Sequence, residues 1–338
     1  MIKMSNNNNQ ASTRHHYLQK AYLDRFAENA RIDVILRQTG ELRAGQRTSS
    51  IANIRGLYTS TDENGQRDGS MEGTFAREIE GPAIRIINNA TSVFPYIPVG
   101  SEREVLSLYI ALQYLRTPAA KRRFETDAGR LAAMELFNIA NNPEKIQAFL
   151  QARGEDSSDE AIKSYRRSIL KGIKDNELLP NNNLWLQSIA DGLGYITPIL
   201  TQRYNWHIFA YNDSCLITSD QPLVLRKINN NYRGTGFGNA DEVLFPLGKK
   251  HALILSTDPN LEEGVHFIDD NEHIEMLNDL VLRNSYLEAY CPPSISSTYS
   301  GKALGRRPLT QMSGDLPKEL KFLERYSGIL KRDRPSRN

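Results

Sequence analysis

The polar residues best suited to chemistry occur in short motifs that lie far apart in this chain. His15 and His16 come directly before the first predicted helix, whose apolar positions run from Tyr17 to Phe26. Adjacent imidazoles can ligate a metal ion, or act as base and acid near neutral pH. Two neighbouring histidines on a loop are equally compatible with a structural role, so both interpretations stay open.

A second motif, Gln113 and Arg116, lies on the helix with the clearest apolar stripe, which is formed by Val105, Leu108, Leu112 and Leu115. Residues three apart share a helix face, so the amide and the guanidinium are predicted to project together. They are typical of an anion clamp. An arginine near a helix C-terminus also complements the helix dipole, which is the alternative explanation.

The third motif is Thr218-Ser219-Asp220-Gln221-Pro222, which ends a predicted strand in a turn. A carboxylate at a strand end is a common position for a ligand or a general base. Asp two residues before Pro is also what a tight turn requires, because the side chain bonds its own backbone.

Composition restricts the classes of protein and cofactor. The 338 residues carry 42 Lys and Arg against 40 Asp and Glu, interleaved along the chain. Cys215 and Cys291 cannot form a CxxC-type zinc site, so a metal would need His and carboxylate ligands. The glycines near 234–238 lack the strand-before, helix-after setting of a dinucleotide fingerprint, so no nucleotide cofactor is expected. No apolar run reaches the ~20 residues of a membrane span, and no secretory signal is visible. We therefore expect a cytoplasmic protein without a membrane partner.

The hydrophobic period predicts a helix-rich α+β fold. Residues 1–11 are asparagine-rich and are predicted to be a disordered tail. Residues 12–315 are predicted to form a single α+β domain with a helical layer at about 125–203. After Trp206, short apolar runs predict a mostly antiparallel sheet formed largely by the C-terminal half. Residues 316–338 are predicted to be a C-terminal helix and a basic tail.

The motifs occur in an order that resembles a bacterial domain-of-unknown-function family, number 4238. His15-His16-Tyr17 resembles its His-His-Tyr opening, and Ile79-Glu80 followed by Ala83 resembles its Ile-Glu-x-x-Ala helix. Gln113 to Pro118 is similar to its Gln-x-x-Arg-Thr-Pro motif, and Thr218 to Pro222 to its Thr-Ser-Asp-x-Pro motif. Leu18-Gln19 departs from the Val-Pro that the family has after its opening. The resemblance spans roughly residues 14 to 291.

The resemblance implies that six polar residues form one constellation, namely His15, His16, Glu80, Gln113, Arg116 and Asp220. One hypothesis is a metal-assisted phosphodiester hydrolase, nuclease-like and acting on DNA or RNA, with these six as catalytic residues. His15, His16, Glu80 and Asp220 would then hold a divalent metal, Mg²⁺ or Mn²⁺, and nucleic acid would be the partner. The alternative is a non-catalytic interaction protein in which the same residues form a structural network. The sequence does not determine a protein partner or self-association.

Overall fold

The computed structural model describes residues 14–228 and 235–307. The tail predicted at 1–11 and the helix and basic tail predicted at 316–338 lie outside these residues. The strands of the described chain are β1 (Arg14–His16), β2 (Ile32–Leu36), β3 (Leu42–Gln46), β4 (Asn53–Arg55), β5 (Ser60–Thr61), β6 (Arg67–Asp68), β7 (Asn205–Tyr211), β8 (Thr218–Ser219), β9 (Val224–Arg226), β10 (Glu242–Gly248), β11 (His251–Ser256), β12 (Gly264–Ile268) and β13 (Glu288–Cys291).

The helices alternate with these strands early and late in the chain and dominate its middle. They are α1 (Lys20–Leu23), α2 (Met71–Thr74), α3 (Gly81–Ala90), α4 (Gly100–Leu115), α5 (Pro118–Ala140), α6 (Pro143–Ala152), α7 (Asp159–Asp175), α8 (Asn182–Gln202), α9 (Asn271–Asn284) and α10 (Ser296–Tyr299). Short 3₁₀ segments cover Asp24–Phe26 and Thr48–Ser50, and a π-helical segment covers Phe75–Glu80. Within 14–228 and 235–307, every helix is too short or too polar to span a bilayer.

Contacts divide the chain into two compact units. Of the described residues, the first contains 14–120, 182–228 and 235–306, and the second contains 121–181 and Arg307. The predicted single domain over 12–315 stays a prediction, because these units are defined by contacts and not by independent folding.

The first unit contains two larger sheets. One has the strand order β12-β7-β11-β10-β9, and the other has the order β3-β2-β13-β8. The pairing is antiparallel except between β12 and β7, which are parallel. The α+β class and the mostly antiparallel pairing are therefore confirmed. The second sheet joins an early strand to a late one, since β2 pairs with β13.

The core of the first unit joins the N-terminal segment, α4 and the five-stranded sheet. The ring of Phe245 on β10 stacks on Tyr22 at a centroid distance of 5.3 Å and meets Tyr109 edge-on at 6.2 Å. Leu112 on α4 is fully buried. Burial of such large apolar side chains is the main favourable contribution to folding.

The buried face of α4 differs from the predicted stripe. Val105, Leu108 and Leu115 are half-buried, whereas Leu106, Tyr109, Ile110 and Gln113 are almost or completely inaccessible. The reason is that α4 packs against both α3 and α8, so more than one face is covered. Gln113 is thereby enclosed together with apolar residues.

The turn before α3 determines where Glu80 lies. The π-helical segment ends at Glu80, and Pro82 follows at the start of α3. Proline has no N–H to donate to the carbonyl four residues earlier, which favours an irregular turn at this point. Such π-helical turns occur frequently at functional sites.

The second unit is helical over its described residues, 121–181. It contains most of α5 together with α6 and α7, whose Ile146, Leu150 and Ile162 form a small buried cluster. The Asn142 side chain caps α6 by accepting a hydrogen bond from the Lys145 amide at 3.1 Å. This cap explains why the sequence Asn-Pro starts a helix here.

Candidate functional site

His15 is fixed in one tautomer by the backbone of Tyr58. The residue lies on β1, which pairs with β4, and its side chain is fully buried. Its Nδ1 accepts a hydrogen bond from the Tyr58 amide at 2.8 Å, and the two rings stack at 5.5 Å. A neutral imidazole that accepts at Nδ1 carries its proton on Nε2. This Nε2–H has no hydrogen-bond partner among the described residues.

Tyr58 itself connects three parts of the candidate site. Its hydroxyl lies 3.3 Å from the His16 carbonyl and 3.2 Å from the Arg116 carbonyl, with the geometry of a donor to each. Its ring also stacks on Trp185 of α8 at 5.8 Å. The tyrosine therefore holds the N-terminal strand beside the C-terminal end of α4. Burial raises the pKa of its hydroxyl, which stays protonated and able to donate.

His16 is held by Glu72. The His16 backbone N–H donates to Glu72 Oε1 at 2.8 Å, and the ring Nδ1 lies 3.7 Å from the same oxygen. Burial alone would raise the pKa of Glu72, but the hydrogen bonds from His16 outweigh it and bring that pKa below its ordinary value. A carboxylate that stays ionised beside an imidazole orients the ring.

Glu80 and Arg116 form a buried ion pair between the π-helical turn and the end of α4. Glu80 Oε1 contacts Arg116 Nη1, and the arginine side chain is 1% exposed. Burial alone would lower the pKa of Arg116, but the Glu80 carboxylate, Tyr58 and Tyr109 outweigh this effect and bring the pKa above its ordinary value. The guanidinium therefore stays charged. Removing one partner of such a pair leaves an uncompensated buried charge, which is strongly destabilising.

An open cleft of about 720 Å³ lies next to these residues. Its lining includes His16 and Gln19 from the N-terminal segment and Glu72 and Glu80 from the segment before α3. We call it the N-terminal cleft. Its charged lining consists of the acids Asp24, Asp68, Glu72 and Glu80 and the bases Lys20 and Arg67. The acids outnumber the bases in this lining, and Arg116, which is outside the lining, balances the charge of Glu80.

Asp220 has a different set of partners. Its carboxylate accepts hydrogen bonds from the backbone amides of Tyr286 at 2.7 Å, Leu287 at 2.6 Å and Glu288 at 3.2 Å. Burial raises its pKa to about 7, and the charge of Glu288 acts in the same direction, against the three amide bonds. None of these partners is one of the other five predicted residues. The structure thus brings His15, His16 and Arg116 together around Tyr58 and pairs Arg116 with Glu80, which lines the N-terminal cleft. Gln113 is buried one turn before Arg116, and Asp220 fastens the start of β13.

Cys215 and Cys291 are both free, and Cys291 is buried. Burial, followed by the charge of Asp213, raises the pKa of Cys215 to about 11, so this thiol is a poor nucleophile at neutral pH.

Metal binding by the predicted ligands stays a prediction. In the part of the chain that the structure describes, no three or more His, Cys, Asp or Glu side chains are arranged to hold a metal ion. His15, His16, Glu80 and Asp220 therefore do not constitute a preformed four-ligand centre. Their catalytic roles, and those of Gln113 and Arg116, likewise stay predictions.

Glu72 and Tyr109 contact site residues but belong to none of the sequence motifs described above. Tyr109 lies one turn before Gln113 on α4, and its hydroxyl is 3.5 Å from Gln19 Oε1. A signal for Tyr109 exists in the sequence, since 109, 113 and 116 follow the helical spacing of four and three. No comparable local signal marks Glu72, which reaches His16 across 56 residues of chain.

Comparison with known proteins gives a family and no functional relative. No curated protein matches the chain, and no solved structure matches it either. The family model described as "Protein of unknown function (DUF4238)" matches residues 14–293, which include the N-terminal cleft, the Arg116–Glu80 pair and Asp220. The chain therefore belongs to the DUF4238 family.

Proposed function

We propose that the N-terminal cleft is the active site of a nuclease-like hydrolase that cleaves phosphodiesters with the help of Mg²⁺ or Mn²⁺. One observation carries this proposal: the Glu80 carboxylate, paired with Arg116 on its buried side, lines the same cleft as His16 and Glu72. A carboxylate and an oriented imidazole at one cleft are the groups that activate water in hydrolysis.

His16 is the candidate general base. Its ring is close to the ionised carboxylate of Glu72, which stabilises the imidazolium that forms when water gives up a proton. The oxygen of that water would bond to phosphorus while the phosphorus–oxygen ester bond breaks. The departing oxygen would then take up a proton from solvent.

A divalent cation fits the charge of the cleft. A phosphodiester is anionic, and the acids of the lining outnumber Lys20 and Arg67. Mg²⁺ commonly keeps several waters and is bound through one or two carboxylates plus substrate phosphates. Glu80 and Glu72 are the candidate protein ligands, and the cation would offset the repulsion between substrate and cleft.

The test is an activity measurement on the full chain with single-stranded DNA, double-stranded DNA and RNA, each with Mg²⁺, Mn²⁺ or EDTA. We expect metal-dependent cleavage that Glu80→Gln and His16→Gln each reduce by about a hundredfold or more, the range of general acid–base catalysis. His273→Gln is the matched control, because His273 is a partly buried histidine bonded to Tyr211. The proposal fails if the wild type cleaves none of the substrates under any of these conditions, or if both cleft variants cleave as fast as the control.

The alternative proposal is a non-catalytic interaction protein in which the polar residues form a structural network. The specific observation in its favour is that the Asp220 oxygens accept three backbone amide hydrogen bonds. Under this alternative, Glu80→Gln and His16→Gln lower the melting temperature of a protein without cleavage activity. Glu80→Gln leaves the charge of Arg116 unpaired under either proposal, so the variant that separates them is His16→Gln. Lost cleavage at an unchanged melting temperature supports the hydrolase, whereas a lowered melting temperature in a protein whose wild type does not cleave supports the alternative.

The hydrolase proposal includes a partner and a cellular location. Nucleic acid is the proposed partner, because the substrate is a phosphodiester. A cytoplasmic location is proposed as well, and the free state of Cys215 and Cys291 supports it, since free thiols persist in reducing compartments.

A further inference from the structure

Arg116 uses only part of its hydrogen-bonding capacity. Its Nη1 contacts Glu80, whereas its Nε and Nη2 are buried and have no hydrogen-bond partner among the described residues. These two atoms lie on the same edge of the planar guanidinium. An edge of this kind presents two parallel N–H donors, which match two oxygens of one carboxylate or phosphate.

Gln113 offers a further unused donor one turn away. Its side chain is fully buried, and neither Nε2 nor Oε1 has a hydrogen-bond partner in the described part of the chain. An amide buried in this way is costly unless a partner satisfies it. Together, Arg116 and Gln113 supply three buried donor atoms against one acceptor, which favours an acceptor-rich ligand.

Two side chains on the same helix face as Gln113 contact residues that line the N-terminal cleft. Tyr109, Gln113 and Arg116 follow each other at steps of four and three residues on α4 and at its end. Tyr109 reaches Gln19, and Arg116 reaches Glu80; both contacted residues line the cleft. Gln113 therefore lies between two side chains that each touch the cleft wall.

Electrostatics links these groups further. The pKa of the Tyr109 hydroxyl is raised by burial and by the charge of Glu80, and Arg116 lowers it. The hydroxyl is thus close to both members of the ion pair and stays protonated. Its O–H donates to Gln19 Oε1 at the cleft wall.

We infer that the free edge of Arg116 and the amide of Gln113 form an oxyanion subsite that receives a phosphate group from the N-terminal cleft. The Glu80 side chain stands between the cleft and the guanidinium, so entry requires it to turn toward the cleft. Identifying that phosphate with the substrate's phosphodiester group rests on the proposed hydrolase function. Binding of a phosphate group does not.

The experiment is a calorimetric titration of the full chain with inorganic phosphate at pH 7 in EDTA, with sodium formate as the carboxylate probe. Wild type is expected to bind phosphate more tightly than formate, because phosphate offers more oxygens to the three donors. Arg116→Lys keeps the charge and removes the double donor, and should weaken phosphate binding about tenfold, the equivalent of one charge-assisted hydrogen bond. Gln113→Met keeps the shape and should weaken it by a smaller factor.

Glu80→Gln separates this subsite from the proposed catalysis. The variant removes a negative charge that competes for Arg116, so phosphate should bind more tightly, whereas hydrolysis should be lost. Arg226→Lys is the matched control, since Arg226 pairs with Glu242 on the five-stranded sheet and should leave phosphate binding unchanged.

The inference is overturned if wild type shows no phosphate binding, which would indicate that internal water alone satisfies these groups. It is also overturned if Gln113→Met and Glu80→Gln both bind phosphate with the affinity of wild type. These two variants keep the test decisive even if Arg116→Lys does not fold. Phosphate binding without any cleavage of nucleic acid would leave the subsite standing and reject the hydrolase.

Discussion

The carboxylate of Asp220 accepts a hydrogen bond from the backbone amide of Leu287 at 2.6 Å, across 67 residues of chain. The neighbouring amides of Tyr286 and Glu288 donate to the same carboxylate. Glu288 is the first residue of β13, which pairs with β8 so that Ala289 lies opposite Ser219. The Asp220 side chain therefore positions β13, which pairs with β8 on one side and with β2 on the other.

Replacing Asp220 by Ala should destabilise the protein. The substitution leaves three backbone N–H groups without their acceptor in a buried position, and each unsatisfied group costs about 1–3 kcal/mol. The measurement is urea unfolding of wild type and variant at one pH. Asp279→Ala is the control, because Asp279 is exposed and pairs only with Arg283 on its own helix. Equal unfolding midpoints for Asp220→Ala and the control would contradict the structural role.

The stability contribution of Asp220 should depend on pH. Burial, and then the charge of Glu288, raises its folded-state pKa to about 7, whereas an unfolded Asp has a pKa of about 3.9. The folded state therefore binds this proton more tightly, so the contribution is complete below about pH 4 and is lost as the pH rises to about 7. Tyr17, Tyr290 and Arg37 are the other titratable groups coupled to this carboxylate.

Asp220→Asn tests this pH dependence because the amide does not titrate. We expect the unfolding free energy of wild type, relative to the variant, to fall between pH 4 and pH 8. A difference that is constant over this range would mean that the carboxylate is ionised throughout in the folded protein.

Leu112→Ala should cost about 2–5 kcal/mol in unfolding free energy, the usual range for a buried leucine replaced by alanine. Leu112 is fully buried on α4, where the helix packs against both α3 and α8. Leu184→Ala on α8 is the matched control, since 57% of the Leu184 surface is exposed to solvent. Similar losses in the two variants would show that α4 is not part of the core.

Gly40→Ala should destabilise through both conformation and contact. Gly40 has a φ of +72°, and a Cβ there would lie 2.7 Å from the carbonyl carbon of Gly301. The left-handed conformation alone costs an L-residue roughly 1–2 kcal/mol. Gly45→Ala is the control, because its φ is +63° but its Cβ would meet nothing within 4 Å. Thermal melting should show the larger loss for Gly40→Ala, and equal losses would exclude the close approach of the Gly301 backbone.

Much of the helical structure could be predicted because helical periodicity is local. The helical layer predicted at about 125–203 includes α6 and α7, and Asn142 and Ser158 cap these helices with their side chains. The order of the motifs likewise indicated the family. These properties depend on residues a few positions apart, whose preferences survive in any tertiary environment.

The sheets and the site depended on contacts between distant residues. The strand β12 was not predicted, and it is stabilised by parallel pairing with β7, some sixty residues earlier in the chain. The apolar stripe of α4 was assigned to one face, whereas coverage by α3 and α8 buries Gln113 as well. Neither outcome can be read from the local pattern.

The sequence alone determined which polar residues were candidates, since His15, His16, Glu80, Gln113, Arg116 and Asp220 all stand in recognisable motifs. Only the tertiary structure decided how they are divided, with Glu80 and Arg116 paired beside a cleft and Asp220 bonded to the backbone before β13. The physical reason is that a buried charge must find its partner within a few ångströms, and long-range packing decides which partner that is.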